Sequence, residues 1–546
     1  MTTSDTPRAG RREWIGLTVL SLACLLYVMD LTVLHLAVPA ISEDLKPTSA
    51  ELLWIIDIYG FMVAGFLITM GTLGDRIGRR KLLLIGAAAF GIVSILAAFS
   101  TSPEMLILSR ALLGIAGATL APSTLSLIFS MFQDPRQRAV AIGVWISAFS
   151  AGSAIGPVLG GILLENFWWG SVFLLALPVM GLILVLGPIV LPEYRDPDAG
   201  RLDLASAAMS LVAVLAVIFG LKQIAQDGIG VVALATIVGG LVVGGLFVSR
   251  QLSLADPMID LRLFRIPAFS SSLAINFLSI FVMVGYFLFV AQFLQLVVGL
   301  SPLEAGLWSL PSAIGFVVAS NVAPRIVRRF PAAYVIGAGL ALSALGLGVL
   351  TQVGGSSGLA AVVVGSIIIS LGLAPVFSLT TDLIVGSAPP ERAGAASGIS
   401  ETASELGGAL GISVLGSIGV ALYRARLSEA LPASVPADAA VVARDTLGGA
   451  VAVAGQLPGQ LGSEVLVAAR DAFVQGMQIV TTISAVIAVG VAILAVVMLR
   501  NVGSGADREA ASEAEAEEAR ENGRTRDHEH APREGRPTAA PATEAC

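Results

Sequence analysis

Five ionisable side chains stand inside long apolar stretches of this sequence: Asp30, Asp57, Arg110, Glu401 and Glu405. A charge at the centre of a lipid-facing helix costs about 2.5–3.5 kcal/mol, so five of them facing lipid would cost on the order of 12–17 kcal/mol. They must instead face a cavity or one another. Glu401 and Glu405 are four residues apart and so share one helix face. Carboxylates so placed can exchange protons, or pair with a cationic ligand when ionised. Arginine does not deprotonate, so Arg110 is a fixed counter-charge for a nearby acid. Asp30 falls within plausible reach of it, and the two halves of the chain are expected to hold Asp30 and the Glu401/Glu405 pair on opposite cavity walls. His35 reads as a packing polar residue and Asp382 as a satisfied interfacial carboxylate.

The elements that must position these groups are membrane helices. Of 546 residues, 55% are hydrophobic and only 13% charged, against about 25% charged in soluble domains. Mean hydropathy is +0.86. Such a chain cannot cover a water-facing surface, and its natural solvent is lipid. The formal charge of −7 does not point to nucleic acid, because the excess acid lies largely in one tail. Cys24 and Cys546 are too far apart in sequence to suggest a structural disulfide. The first apolar run, from Trp14 to Pro39, is longer than a cleavable signal core and contains Asp30, so it reads as a span.

Apolar runs place fourteen spans near 15–39, 52–73, 82–100, 105–131, 139–163, 171–191, 204–222, 229–249, 269–293, 305–324, 332–351, 358–383, 393–422 and 474–499. Arginine falls in alternate short loops, at Arg76/Arg79/Arg80, Arg136/Arg138, Arg195/Arg201, Arg250/Arg262/Arg265, Arg325/Arg328/Arg329 and Arg392. The positive-inside rule then puts both termini in the cytoplasm of a multi-pass cell-membrane protein. Lys46 and Lys222 are assigned to short outer loops, and residues 423–473 to a long outer loop with Ala-rich helical stretches that could cap the cavity mouth.

The chain divides into a cytoplasmic N-terminus (1–14), a six-helix bundle (15–191), two inserted helices (204–249), a second six-helix bundle (269–499) and a disordered cytoplasmic tail (500–546). An internal echo supports two equivalent halves. Arg76-Ile-Gly-Arg-Arg80 recurs as Arg325-Ile-Val-Arg-Arg329, 249 residues on (325 minus 76). Gly152 and Gly156 recur as Gly407 and Gly411, 255 residues on (407 minus 152).

Three further motifs fit moving helices. Gly71, Gly74, Asp75, Arg76, Gly78 and Arg79 form a charged cytoplasmic turn, in which Asp75 and the arginines can make an ion-pair latch, with the region of Arg392 as a second partner. Arg110 is followed by Gly114 and Gly117, which let a partner helix approach closely. Gly152, Gly156 and Gly160 make a smooth stripe, with Pro157 able to kink the helix that carries it. No Gly-x-x-x-x-Gly-Lys-Ser/Thr motif occurs, so ATP is excluded as a direct energy source. No metal site is expected; His528-Glu-His530 reads as a solvated charge run.

Taken together, these motifs resemble the fourteen-helix drug/proton antiporter family of the major facilitator superfamily. The likeness is carried by Gly71–Arg80, Arg110–Gly117, Gly152–Gly161, Met29–Pro39, Trp54–Gly60, Trp169–Phe173, Gln295–Pro302 and Ser400–Gly407, and covers roughly residues 12–500. It implies an all-α polytopic fold and alternating access between two six-helix bundles. It also implies a transporter rather than an enzyme, with no cofactor beyond the proton gradient. Protons and a small-molecule drug would be its partners, with the chain acting as a monomer. The set Asp30, Asp57, Glu401 and Glu405 is similar to that of exporters of quaternary ammonium compounds and cationic dyes. Two departures stand out. His35 replaces a usual asparagine, and the acid that some dication exporters carry near Phe316 is missing, which argues against dication transport. Export of a self-made neutral or anionic metabolite is the alternative on this scaffold, and a polytopic sensor or channel the reading from another class.

Overall fold

A computed structural model describes residues 9–193, 195, 203–254, 257–327, 329–354, 358–388 and 393–500. The tail, Arg201, Arg328 and Arg392 therefore lie outside the described residues. The described chain is helical throughout. Thirteen of its helices are long and apolar enough to cross a membrane, and the 32-residue helix Pro135–Asn166 stands where the remaining expected span falls. In chain order the first six are α1 (Arg11–Asp44), α2 (Ser49–Ile77), α3 (Arg79–Ala98), α4 (Pro103–Met131), α5 (Pro135–Asn166) and α6 (Ser171–Val190). The inserted pair is α7 (Leu204–Asp227) and α8 (Val231–Ser253). The second half is α9 (Pro267–Val297), α10 (Pro302–Val327), α11 (Ala332–Leu350), α12 (Gly358–Gly386), α13 (Ala396–Ala430) and α16 (Gly459–Leu499), with the short α14 (Ala437–Asp445) and α15 (Leu447–Gln456) before α16. Large apolar side chains such as Val185, Leu241, Leu345 and Val486 are exposed along these helices, as expected where lipid is the solvent.

Two boundaries differ from the sequence expectation. The stretch Gly71–Ile77 is not a turn but the end of α2; the reversal falls on Gly78 alone, at φ 109°. Glycine is required by that φ, which side-chain-bearing residues rarely adopt, and its lack of a Cβ also lets the Glu193 carboxylate approach closely. Glu193 accepts from the Arg80 amide at 3.2 Å and pairs with its guanidinium at 3.4 Å, tying the start of α3 to the chain just after α6. Arg79 is buried and reaches the Pro122 carbonyl at 3.4 Å. The Asp75 side chain and Arg392 lie outside the described residues, so the latch expected between them is not described.

Residues 423–473 are the second difference. Helix α13 runs on to Ala430 and α16 begins at Gly459, fifteen residues earlier than expected (474 minus 459), leaving only 431–458 between them. Alanine-rich sequence is good helix former wherever packing allows it, so apolar runs underestimate both helices. The short helices dock on the bundle. Asp445 accepts from the Ser49 amide at 3.2 Å at the start of α2 and pairs with Arg424, while Tyr423 donates to the Ala443 carbonyl at 2.8 Å.

At this end, called the loop end below, the two halves are joined. A Cβ on Gly306 of α10 would lie 2.3 Å from the Pro157 carbonyl oxygen of α5, and one on Gly161 would lie 2.7 Å from Leu303 Cα. Gln295 donates to the Leu36 carbonyl of α1 at 3.0 Å. The stripe on α5 is used as a seal against α1: Cβ atoms on Gly152, Gly156 and Gly160 would meet Leu25, Thr32 and Val33 at 2.6, 2.3 and 2.6 Å.

The inserted pair packs on the seam between halves. Ile218 of α7 buries against Phe61 of α2 and Ala409 of α13. Its first turn is capped by Asp203, which accepts from the Ser206 amide at 3.0 Å and from Arg250 of α8 at 3.0 Å. Burial opposes the charge on Asp203, but the Ser206 hydroxyl and Arg250 outweigh it and hold the carboxyl down at about 2. A depressed carboxyl stabilises the fold above its unfolded value of about 3.9 and loses that contribution as pH falls through its folded one. Asp203→Ala is expected to lower stability by about 1 kcal/mol at neutral pH. In thermal melts, the difference from wild type should narrow below about pH 4.

Candidate functional site

A cavity of about 340 Å³ lies between the two halves, below the joined loop end. That is the scale of a pocket for a drug-sized ligand. Its wall is mostly apolar and aromatic, with Trp308, Phe287 and Phe316 on the second half, and it includes the charged groups Asp57, Arg110 and Glu405.

Each charged group is held differently. Arg110 on α4 is fully buried. Its Nη1 donates to Asp30 Oδ2 at 2.6 Å, its Nε to the Ile55 carbonyl at 3.2 Å, and its guanidinium lies 4.6 Å from the Tyr59 ring centroid. Gly114 and Gly117 on the same helix make this possible, since side chains there would strike Tyr59. The Arg110 Nη2 donor has no partner among the described residues. Asp57 on α2 is 1% exposed and has both oxygens occupied. Lys222 Nζ lies 2.9 Å from Oδ2 and 3.1 Å from Oδ1, and Ser413 Oγ donates to Oδ2 at 2.5 Å. Ser413 stands in a π-helical turn, Ile412–Gly416, within α13, a distortion that recurs at functional positions.

Glu405 differs. It lines the cavity and accepts from the neutral Tyr27 hydroxyl, and among the described residues it has no ion pair. Ser404, beside it, donates to Asn276 Oδ1 at 2.9 Å, anchoring this turn of α13 to α9. Glu401 is one turn further from the loop end, within electrostatic reach of Glu405 and Tyr27, but it is not part of the cavity wall. His35 does line the cavity, with its Nδ1 buried and without a hydrogen-bond partner among the described residues.

Three expectations are therefore redrawn. Asp30 does not face the Glu401/Glu405 pair across the cavity. It borders a separate space of about 10 Å³ with Leu26, Phe90 and Phe173, and Arg110 stands between it and the main cavity. Of the two glutamates on one helix face, only Glu405 reaches the wall, because the cavity lining on α13 begins at Ser404 and runs toward the loop end, to Ile412. Lys222 is not an outer-loop residue: α7 continues to Asp227, and Lys222 is 4% exposed, with its ammonium 3.8 Å from the Trp54 ring centroid.

A hydroxyl-rich strip on the second half was not foreseen. Ser312 of α10 and Ser370 of α12 are hydrogen-bonded at 3.0 Å on the cavity wall, and the Tyr286 hydroxyl is buried beside Ser366 and Ser370. A small-residue serine signal was present in the sequence, but membrane-helix serines commonly bond their own backbone, so composition alone did not single these out. Asp382 is exposed and apart from the cavity. No cluster of three or more metal-ligating side chains occurs among the described residues.

Comparison with known proteins follows the same lines. The family model described as Major Facilitator Superfamily matches residues 20–412. The multidrug efflux pump LfrA of Mycolicibacterium smegmatis is 43% identical over 498 residues, covering 91% of this chain and 98% of that one. The methyl viologen resistance protein SmvA of Salmonella typhimurium is 37% identical over 470 residues, covering 85% and 93%. The tetracenomycin C resistance and export protein of Streptomyces glaucescens is 31% identical, covering 90% and 93%. Among solved structures, a bacterial homologue of the human lysosomal transporter Spinster superposes with a TM-score of 0.64 at 19% identity, over 90% of this chain and 98% of that one.

Proposed function

The chain belongs to the Major Facilitator Superfamily as a multi-pass membrane transporter, and on that premise we propose that it exports hydrophobic organic cations in exchange for protons. The observation that carries this reading is the charge pattern of the cavity. Asp30 is neutralised by Arg110 and Asp57 by Lys222, which leaves Glu405 as the one cavity-wall acid without a counter-ion among the described residues. A large apolar, aromatic-walled space with a single unpaired carboxylate suits a lipophilic monocation, which gains charge pairing where water is scarce. In the empty carrier, Glu405 holds a proton beside the Tyr27 hydroxyl. A cation binds by displacing that proton, and the two ligands compete for one group. Competition of this kind couples their movements, because each shifts the population that the other needs.

Arg110 supplies what a second titrating acid could not, a fixed charge that holds Asp30 in place and keeps α1, α2 and α4 registered. The α5 stripe seals α5 against α1 within the first half, while the Pro157–Gly306 and Gly161–Leu303 contacts with α10 are the ones that part as the loop end opens. The Gly78 turn, with Arg79 and Arg80 anchored on neighbouring helices, is the matching hinge at the other end. The arginine distribution puts the Gly78 end and both termini in the cytoplasm. One chain encloses the whole cavity, so a monomer suffices. The proton gradient serves as energy source and no cofactor is needed. The multidrug and antibiotic exporters among its relatives support the direction of transport.

Energy coupling is tested in everted membrane vesicles. Ethidium uptake driven by an imposed proton gradient should collapse on adding a protonophore. Uptake that persists without any gradient when ATP is supplied would refute the exchange.

A further inference from the structure

We propose that Lys222 of the inserted helix α7 sets the charge valence of the cavity, holding it to ligands that carry one positive charge. This rests on the cation reading above and extends it to the two inserted helices, for which neither the repeat nor the alternating halves give a role.

Lys222 belongs to neither six-helix bundle, yet its ammonium is 4% exposed and sits on Asp57 at 2.9 and 3.1 Å, with the Trp54 ring beneath it at 3.8 Å. An ammonium taken this far from water must be compensated, and the carboxylate and the ring face provide that. The consequence for the cavity lies on the other side of the pair. Asp57 is part of the cavity wall, and Lys222 is not. A ligand therefore meets an aspartate whose charge is already neutralised from behind.

Asp57 and Glu405 also line the same cavity. Gly60 lies three residues beyond Asp57 on the same face of α2, and a Cβ there would stand 3.8 Å from Glu405 Oε2. Asp57 itself lies on the far side of Gly60, with its carboxylate on Ser413, eight residues past Glu405 on α13 (413 minus 405), so the two acids are separate stations on one wall. With Lys222 present the wall offers one unpaired acid; without it, two. Ser413 would remain on Asp57 Oδ2 but brings no charge. A wall with two unpaired anions favours a dication, whose two charges can be met separately, and Lys222 removes that option.

The test uses the full chain in lipid nanodiscs and two probes, tetraphenylphosphonium as monocation and methyl viologen as dication, with Kd measured by calorimetry. In Lys222→Met, the ratio of methyl viologen Kd to tetraphenylphosphonium Kd should fall by about tenfold or more. Lys222→Arg keeps the charge and should keep the wild-type ratio. The double variant Asp57→Asn/Lys222→Met should return to it, because the unmasked acid is gone. Lys222→Gln serves as a second neutral variant if Lys222→Met does not fold. A ratio within about twofold of wild type in both neutral variants, or a shift that survives in the double variant, overturns the role of Lys222. A wild-type protein that binds neither probe would instead overturn the cation reading on which this rests.

Discussion

Replacing Arg110 by methionine is expected to abolish transport of every substrate and to lower stability by about 3–5 kcal/mol, the usual cost of leaving one member of a buried ion pair without its partner. The Asp30 side chain is 10% exposed, and Arg110 Nη1 is its ion-pair partner at 2.6 Å. Methionine fills the volume, so the loss is of charge and hydrogen bonds rather than packing. Arg110→Lys should not restore transport. An ammonium can reach Asp30 or the Ile55 carbonyl, but it lacks the planar fork that serves both while lying over Tyr59. Asp30→Asn/Arg110→Met should regain much of the stability, because no buried charge is left alone, and still not transport. Thermal melts separate the two effects from vesicle efflux. Active Arg110→Met protein would show that the Asp30–Arg110 pair is structural only.

Glu405→Gln should leave the protein folded and weaken cation binding by more than tenfold. The amide oxygen can still accept from the Tyr27 hydroxyl, so the local geometry survives. What goes is the negative charge. At ~5 Å and an effective dielectric of ~20, unit charges attract by about 3 kcal/mol, and part of this is offset by the cost of drying the pair. A matched pair of probes reads the charge term alone: tetraphenylphosphonium should lose more than tenfold in affinity, and neutral triphenylphosphine oxide should stay within about twofold. Equal losses for both would assign Glu405 to packing.

Much of this arrangement is legible in the sequence, and the misses have physical causes. Apolar run length finds the spans because lipid demands about 20 apolar residues per helix. Asp30 and Arg110 announce each other because unpaired charge in such runs is so costly. Lys222 was misplaced by the same logic. It lies near the end of an apolar run, next to Gln223 and Gln226, where a lysine ordinarily marks a loop. Only the helix continuing to Asp227, with Gly228 at φ 82° ending it, turns it inward toward Asp57. Spacing put Glu401 and Glu405 on one face, but which of them borders open space depends on how α13 meets α2 at Gly60, a contact between distant segments that periodicity cannot express. The Tyr286, Ser312, Ser366 and Ser370 strip comes from three helices, and only Ser366 and Ser370, four residues apart on α12, share a spacing that sequence can show. Helical reach into 423–473 was underestimated because hydropathy measures lipid exposure, whereas these residues are helical by alanine content and by docking on Ser49 and Arg424.

The claim that a proton and a cation compete for Glu405 is tested most directly by counting protons. In lightly buffered nanodiscs with a pH indicator, saturating wild-type protein with tetraphenylphosphonium should release about one proton per cation bound, and Glu405→Gln should release none at cation concentrations raised to saturate it. Cation binding to wild type without proton release, or the same release from Glu405→Gln, would contradict the account.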